Sequence, residues 1–149
     1  MPRNTIRETN ILFVCIDNSC TSQIAEAIAR HLAPPKTRVF SAGITPIDVI
    51  HPFVAKVMKE VGISISGQNA KGLGAVPLEE IDLAVTLSEE IKGKCPALPS
   101  RVKLEHWSIP DLKRATGGEA AMQAAFRYVR DEIDRKVAAL FLDHWRNVA

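Results

Sequence analysis

The chain has 149 residues, of which 46% are hydrophobic and 5% aromatic, and this composition is ordinary for one globular domain over residues 1–149. The formal net charge of +2 gives no indication of a nucleic-acid partner, and the longest apolar run, residues 11–16, is too short to span a bilayer. The first ten residues lack the apolar core of a signal peptide, so we expect a cytoplasmic protein without a membrane partner.

Strand-like and helical patterns alternate along the chain. In chain order they predict a strand over residues 11–15, a helix over 22–32, a strand over 38–41, a helix over 52–62, strands over 83–87 and 102–107, and a helix from 119 to about 145. This alternation predicts an α/β fold with a four-stranded parallel sheet, helices on both faces, and ligands at the carboxyl ends of the strands. The cysteines form no disulfide framework and the histidines show no metal-ligand spacing, so neither a metal nor a cofactor is expected.

The turn between the first strand and the first helix is the most informative segment. Cys15 ends the strand and Ser22 opens the helix, so the backbone N–H groups of residues 16–22 have no ladder partners and can converge on an anion at the positive end of the helix. Ser22 can cap the helix or donate its hydroxyl to the Cys15 sulfur, and both roles favour a thiolate. An isolated cysteine at a strand end is usually a small buried apolar side chain, but this setting favours a nucleophile.

The run VCIDNSCTSQIAEA at residues 14–27 resembles the low-molecular-weight protein tyrosine phosphatase superfamily, and within it the arsenate reductases. The signature of these enzymes is a cysteine, five residues and then Arg-Ser, followed by an Ala-Glu helix. Further segments follow in the arsenate-reductase order and spacing, so the resemblance covers nearly the whole chain. These segments are SAG at 41–43, HPFVAKVMKEVGISIS at 51–66, DLAVTLS at 82–88, CPALPSRVKLEHW at 95–107 and FRYVRDEI at 126–133. The resemblance implies the flavodoxin-like architecture of the low-molecular-weight phosphatases.

The resemblance also implies a set of site residues. Cys15 would attack a small oxyanion, arsenate or phosphate, and Asp111 would be the general acid in a loop after the last strand. The family usually has a proline after this aspartate, so Leu112 is expected to leave the loop less rigid. The anion would be bound by Ile16, Asp17, Asn18, Ser19, Cys20, Thr21 and Ser22. Tyrosine phosphatases of this fold surround their pocket with aromatic residues, and the single tyrosine, Tyr128, lies in a predicted helix, which points to a small oxyanion.

Two loop residues depart from the family pattern. Thr21 replaces the arginine that would grip two anion oxygens, and loss of one such donor typically costs about a hundredfold to a thousandfold in rate. Asp17 puts a carboxylate in the same turn, where it would repel a dianion unless its side chain points outward. The alternative to an active enzyme is therefore a catalytically weak or silent relative that binds phosphate-like anions.

The redox cysteines of thioredoxin-coupled arsenate reductases are only partly present. By resemblance Cys15 is the nucleophile and Cys95 the third cysteine, but the second falls on Ser88, and a hydroxyl cannot take part in disulfide exchange. Either Cys15 pairs directly with Cys95, or a small thiol such as glutathione or mycothiol takes the second position, or there is no reductase cycle. The implied partner is thioredoxin, glutaredoxin or a small thiol, and Cys20 is expected to be a packed thiol.

Behind the loop, some arsenate reductases bind a potassium ion through an asparagine, a glutamate, a serine and an aspartate. The first three match Asn18, Glu26 and Ser41, while Lys71 stands in the place of the aspartate. Two interpretations follow: the Lys71 ammonium replaces the ion, or it is solvated in a polar loop.

Overall fold

The structure, a computed structural model, describes the chain from residue 8 to residue 148, with side chains as far as residue 143. Within that range four parallel strands form one sheet in the order β2-β1-β3-β4, which is the flavodoxin-like order. The strands are β1 (Thr9–Cys15), β2 (Thr37–Gly43), β3 (Leu83–Thr86) and β4 (Lys103–His106), and the α-helices are α1 (Thr21–Leu32), α2 (Pro52–Lys59) and α3 (Glu119–Val148). The predicted α/β fold with a four-stranded parallel sheet is therefore confirmed.

The two faces of the sheet are covered by different kinds of helical segment. Alternate residues of β1 point to opposite faces, with Ile11 and Phe13 on one side and Leu12 and Val14 on the other, and all four are buried. The first side packs against the apolar residues of α1, α2 and α3. The second side is covered by short 3₁₀ turns and loops between residues 73 and 102.

The predicted elements are all present, and their ends differ only slightly. The helix predicted to end at Gly62 ends at Lys59, and Gly62 then adopts a positive φ of 77° in the turn that follows. The predicted absence of a signal peptide falls mainly on residues outside the described part of the chain. None of the helices in the described part is long and apolar enough to cross a membrane.

The carboxyl ends of the four strands lie at one edge of the sheet, where parallel sheets bind ligands. β1 lies between β2 and β3. The connection that leaves the carboxyl end of β1 leads to β2, whereas the connection that leaves the carboxyl end of β3 leads to β4, so the two diverge towards opposite edges of the sheet. At such a point an open α/β sheet leaves a crevice in which ligands bind. The segments that border this crevice are residues 16–20, which we call the anion loop, residues 87–90 and residues 109–114.

Candidate active site

A cavity of about 350 Å³ lies in this crevice and brings most of the predicted site residues together. The predicted residues that line it are Cys15, Ile16, Asp17, Ser19, Cys20, Thr21, Ser88 and Asp111. Asn18 and Ser22 are fully buried beneath it. Cys95 is not among the described residues that line this cavity. A larger groove of about 570 Å³ between α3 and the sheet contains none of the predicted site residues.

The anion loop is oriented by hydrogen bonds to its carbonyl oxygens from outside the cavity. The N–H groups of Ile44, Thr45, Ile47 and His51 donate to the carbonyl oxygens of Cys15, Ile16, Asp17 and Ser19 at 3.0, 2.7, 3.2 and 3.0 Å. Because these carbonyl oxygens point away from the cavity, the N–H groups of the loop are available on the side that faces it. The Asn18 N–H accordingly donates to Cys15 Sγ at 3.1 Å. The loop therefore presents donors, rather than acceptors, to the Cys15 sulfur.

Asn18 fixes the shape of the loop. Its φ of 60° is left-handed, a conformation that asparagine tolerates better than most residues. Its Nδ2 donates to Ser22 Oγ at 2.8 Å and to Ser41 Oγ at 3.0 Å. Its Oδ1 accepts from Gln23 Nε2 at 2.8 Å and from the backbone N–H of Lys71 at 2.9 Å. The fully buried carboxamide thus uses both donors and both acceptor positions.

These bonds determine the direction of the contact between Ser22 and Cys15. Because Ser22 Oγ accepts from Asn18, its own proton is free to point at Cys15 Sγ, which lies 2.8 Å away. No side chain caps α1, so of the two roles predicted for Ser22 the structure shows the contact with the sulfur. Two hydrogen-bond donors, the Ser22 hydroxyl and the Asn18 N–H, and the positive end of α1 therefore face the Cys15 sulfur.

A partly buried cation stands behind the loop. The Nζ of Lys71 lies 3.4 Å from Glu26 Oε1, 3.4 Å from Ser41 Oγ and 3.0 Å from the carbonyl oxygen of Asn69, and its side chain is 17% exposed. The ammonium therefore contacts two of the three side chains that the resemblance assigned to potassium, Glu26 and Ser41, and these residues do not fit a metal ion in the same place. Elsewhere in the described chain no cluster of three or more His, Cys, Asp or Glu could hold a metal.

Gly43 is the residue of β2 that lets the anion loop approach the sheet. A Cβ at this position would lie 2.7 Å from the carbonyl carbon of Asp17 and 2.8 Å from the amide nitrogen of Asn18. Cβ atoms in proteins essentially never lie this close to another heavy atom, and both neighbours are backbone atoms, which cannot rotate away as the end of a side chain can. Gly43 belongs to the SAG segment at 41–43, but nothing in the sequence pattern indicates this role.

Asp111 begins a 3₁₀ turn (Leu112–Arg114) beside the cavity. Its Oδ1 accepts the N–H of Lys113 at 2.9 Å, and its side chain is 44% exposed. Leu112 is buried in the core on the α-helical side of the sheet. The expectation that the loop is less rigid without a proline stays a prediction, and the structure shows that the leucine in that position packs into the core.

Asp17 does not point outward. Its carboxylate is buried, with Oδ1 accepting the N–H of Ser19 at 3.1 Å and its hydroxyl at 2.8 Å, while Oδ2 forms an ion pair with Lys113. Burial opposes ionisation, but the hydrogen bonds from Lys113 and Ser19 outweigh it and lower the pKa of Asp17. The hydrogen bond to Asp17 raises the pKa of Lys113. The repulsion expected from a carboxylate in the loop is therefore offset by a lysine that the sequence analysis missed.

The other two thiols are less suited to nucleophilic chemistry. Burial raises the pKa of Cys20, which lines the cavity, to about 11. Burial also raises the pKa of Cys95 to about 11, and Cys95 packs against the side of the sheet that carries no α-helix. Both are therefore protonated near neutral pH.

Comparison with known proteins identifies the family. Residues 10–148 match the family described as low molecular weight phosphotyrosine protein phosphatase. The chain belongs to this family. The arsenate reductase of Bacillus subtilis (strain 168) is 42% identical over 127 residues, which cover 85% of this chain and 91% of that protein. The arsenate reductase of Shouchella clausii (strain KSM-K16) is 38% identical over the same shares of the two chains.

Solved structures agree with the sequence relatives. An arsenate reductase in the phosphate binding state matches with a TM-score of 0.71 and 30% identity, over 91% of this chain and 98% of that one. An arsenate reductase from Archaeoglobus fulgidus DSM 4304 matches with a TM-score of 0.72 and 28% identity, over 88% and 98%. The predicted resemblance to this enzyme family and its fold is therefore confirmed.

We expect Gly43→Ala to distort the anion loop. Overpacking against backbone atoms should lower the free energy of unfolding by about 1–3 kcal/mol and move the N–H groups that face Cys15. Urea denaturation measures the first effect, and alkylation of Cys15 by iodoacetamide measures the second. Gly74→Ala is the matched control, since a Cβ there meets nothing within 4 Å. Equal stability of the two variants would contradict the role of Gly43.

We expect Ser22→Ala to slow alkylation of Cys15 at neutral pH by about tenfold, because the thiolate loses a charge-assisted hydrogen bond. Mass spectrometry of the Cys15 peptide follows the rate. Ser19→Ala is the control, since the Ser19 hydroxyl bonds to Asp17 and Cys20. Unchanged reactivity of Cys15 in the Ser22 variant would show that this contact does not stabilise the thiolate.

Proposed function

We propose that this member of the family is an arsenate reductase or phosphatase-like enzyme that acts on a small tetrahedral oxyanion through Cys15. The observation that carries the proposal is the pair of hydrogen bonds to Cys15 Sγ, 2.8 Å from Ser22 Oγ and 3.1 Å from the Asn18 N–H, in a cavity that Asp111 also lines. The relatives named arsenate reductases support the same substrate class. The cavity gives a further reason, because the described residues that line it include no aromatic side chain to hold a phosphotyrosine ring.

The proposed first step is common to both activities. The Cys15 thiolate attacks phosphorus or arsenic, a bond forms from sulfur to that atom, and the bond to the leaving oxygen breaks. Asp111, when protonated, gives its proton to the departing oxygen. In a phosphatase cycle water then displaces the sulfur. In a reductase cycle a second thiol attacks Cys15 Sγ, a disulfide forms, and the electron pair of the S–As bond remains on arsenic, which leaves as arsenite.

For the reductase cycle, we propose that the second thiol comes from outside the chain, from thioredoxin, glutaredoxin or a small thiol such as glutathione. Ser88 lines the cavity but has no sulfur, whereas Cys95 packs on another surface and holds its proton near neutral pH. Direct pairing of Cys15 with Cys95 would require the segment from residue 88 to residue 95 to rearrange. Mild oxidation followed by peptide mapping distinguishes this direct pairing from the use of an external thiol.

One observation favours a second candidate function. Thr21 lines the cavity with a neutral hydroxyl, so the loop lacks a guanidinium that would stabilise charge growing in the transition state. A relative of the family that binds phosphate-like anions with little turnover would fit this substitution. The two candidates differ in the rate of the chemical step and share the anion site.

We expect Thr21→Arg to raise activity by about a hundredfold to a thousandfold, the range associated with restoring one charge-stabilising donor to a preorganised site. Arsenate reduction and aryl-phosphate hydrolysis are measured side by side, in the parent and the variant, with glutathione as the reductant. The relative size of the two gains identifies the preferred reaction.

Two control variants accompany this measurement. Cys15→Ser should abolish the gain, and Asp111→Asn should slow hydrolysis of aryl phosphates with poor leaving groups more than that of phosphates with good ones. A folded Thr21→Arg variant that stays as slow as the parent would argue against an active enzyme and favour the anion-binding relative.

Mild oxidation followed by peptide mapping identifies the second thiol. We expect a mixed disulfide on Cys15 when glutathione is present and no Cys15–Cys95 peptide when it is absent. Cys95→Ser should then keep the arsenate-reductase turnover of the parent. A Cys15–Cys95 peptide, together with loss of turnover in the Cys95 variant, would establish direct pairing instead.

A further inference from the structure

The cavity has positive side chains that do not come from the anion loop. Among the described residues that line it, Lys113 and Arg114 carry the positive charges, and both belong to the 3₁₀ turn that Asp111 begins. A doubly charged oxyanion needs a cation in addition to backbone N–H groups, and Thr21 is neutral. We propose that Lys113 is the residue that supplies this cation, and that Asp17 holds it at the cavity until the oxyanion binds. This inference rests on the proposed function.

The position of the ammonium is the first argument. Lys113 Nζ contacts Asp17 Oδ2, so the cation already reaches a side chain of the anion loop. The Lys113 side chain remains 55% exposed, whereas the Asp17 side chain is 7% exposed. The half-exposed lysine can therefore shift its contact, while the buried aspartate stays fixed.

The Asp17 carboxylate itself resembles a bound substrate oxygen. It accepts the N–H and the hydroxyl of Ser19 and pairs with the Lys113 ammonium. These are the donor types that an oxyanion recruits from such a loop. A phosphate or arsenate dianion carries more charge than a carboxylate, so the ammonium gains by turning towards it.

Arg114 is less suited to this role. Its side chain is 83% exposed and its Nε lies 3.6 Å from Asp111 Oδ2, and within the described part of the chain no ion pair joins it to the anion loop. Lys113 instead links two parts of the site, because its N–H donates to Asp111 Oδ1 at 2.9 Å while its ammonium contacts Asp17. The cation and the general acid therefore approach the nucleophile on one turn.

Phosphate titrations followed by backbone amide NMR shifts test the inference. We expect Lys113→Met to weaken phosphate binding by about threefold to tenfold, the range for one partly exposed charge contact, and Lys113→Arg to retain most of the affinity. Asp17→Asn, which keeps an acceptor for Ser19, should strengthen binding by about threefold to tenfold because it removes a competing negative charge. That gain should shrink in the Asp17→Asn/Lys113→Met double variant.

Kinetics give an independent readout. Lys113→Met should raise KM more than it lowers kcat, because the lysine binds the anion in the ground state as well as in the transition state. In a Thr21→Arg background the same change should cost little, since the guanidinium then supplies the charge. Equal costs in both backgrounds would overturn the inference.

The outcomes separate this inference from the proposed function. If the parent binds phosphate and Lys113→Met binds it equally well, Lys113 is not the cation and the proposed function stands. If neither the parent, Asp17→Asn nor Thr21→Arg shifts the amides of residues 16–22 at phosphate concentrations of about tens of millimolar, the anion site itself is refuted and the inference falls with it.

Discussion

The left-handed backbone of Asn18 and the four hydrogen bonds of its carboxamide are the constraint on which the rest of the site depends. Through them the anion loop is tied to α1 at Ser22, to β2 at Ser41 and to the segment that carries Lys71. The tie to Ser22 leaves the serine proton free to point at Cys15 Sγ, and the Asn18 N–H donates to the same sulfur. A buried polar network of this kind is stable only when every member is satisfied, and the Asn18 carboxamide is.

The buried carboxylates around this network are paired with cationic side chains. The buried Glu26 is paired with Arg30 on one side and with the Lys71 ammonium on the other. Within the loop, Asp17 is paired with Lys113. A lysine therefore accompanies each buried carboxylate near the anion loop, and the site does not depend on a bound metal ion to balance those charges. The substitution at Thr21 removes charge from the loop, and Lys113 brings charge to the same cavity from another element.

The three cysteine side chains lie in two kinds of environment. Cys15 has hydrogen-bond donors and the end of a helix, while burial keeps Cys20 and Cys95 protonated. Attack by a thiol on a disulfide or on a sulfur–arsenic adduct requires the thiolate, so these two cysteines are poor internal partners in the conformation described. The proposed reductase cycle therefore relies on an external thiol, and two residues that line the cavity, Asp111 and Lys113, have half-exposed side chains.

The sequence by itself determined the fold and predicted the nucleophile, because both depend on local patterns. Strand and helix periodicity gave the parallel sheet, and a cysteine between a strand and a helix predicted the anion loop, Ser22 and, with the family resemblance, Asp111. The tertiary structure decided what depends on residues far apart in the chain. The contact of Lys113 with Asp17, the space that Gly43 leaves for the loop, and the place of Lys71 beside Glu26 arise only when separate loops meet at one edge of the sheet. Sequence spacing carries no record of those distances, so Asp17 read alone predicted repulsion, whereas the folded chain supplies its counter-charge.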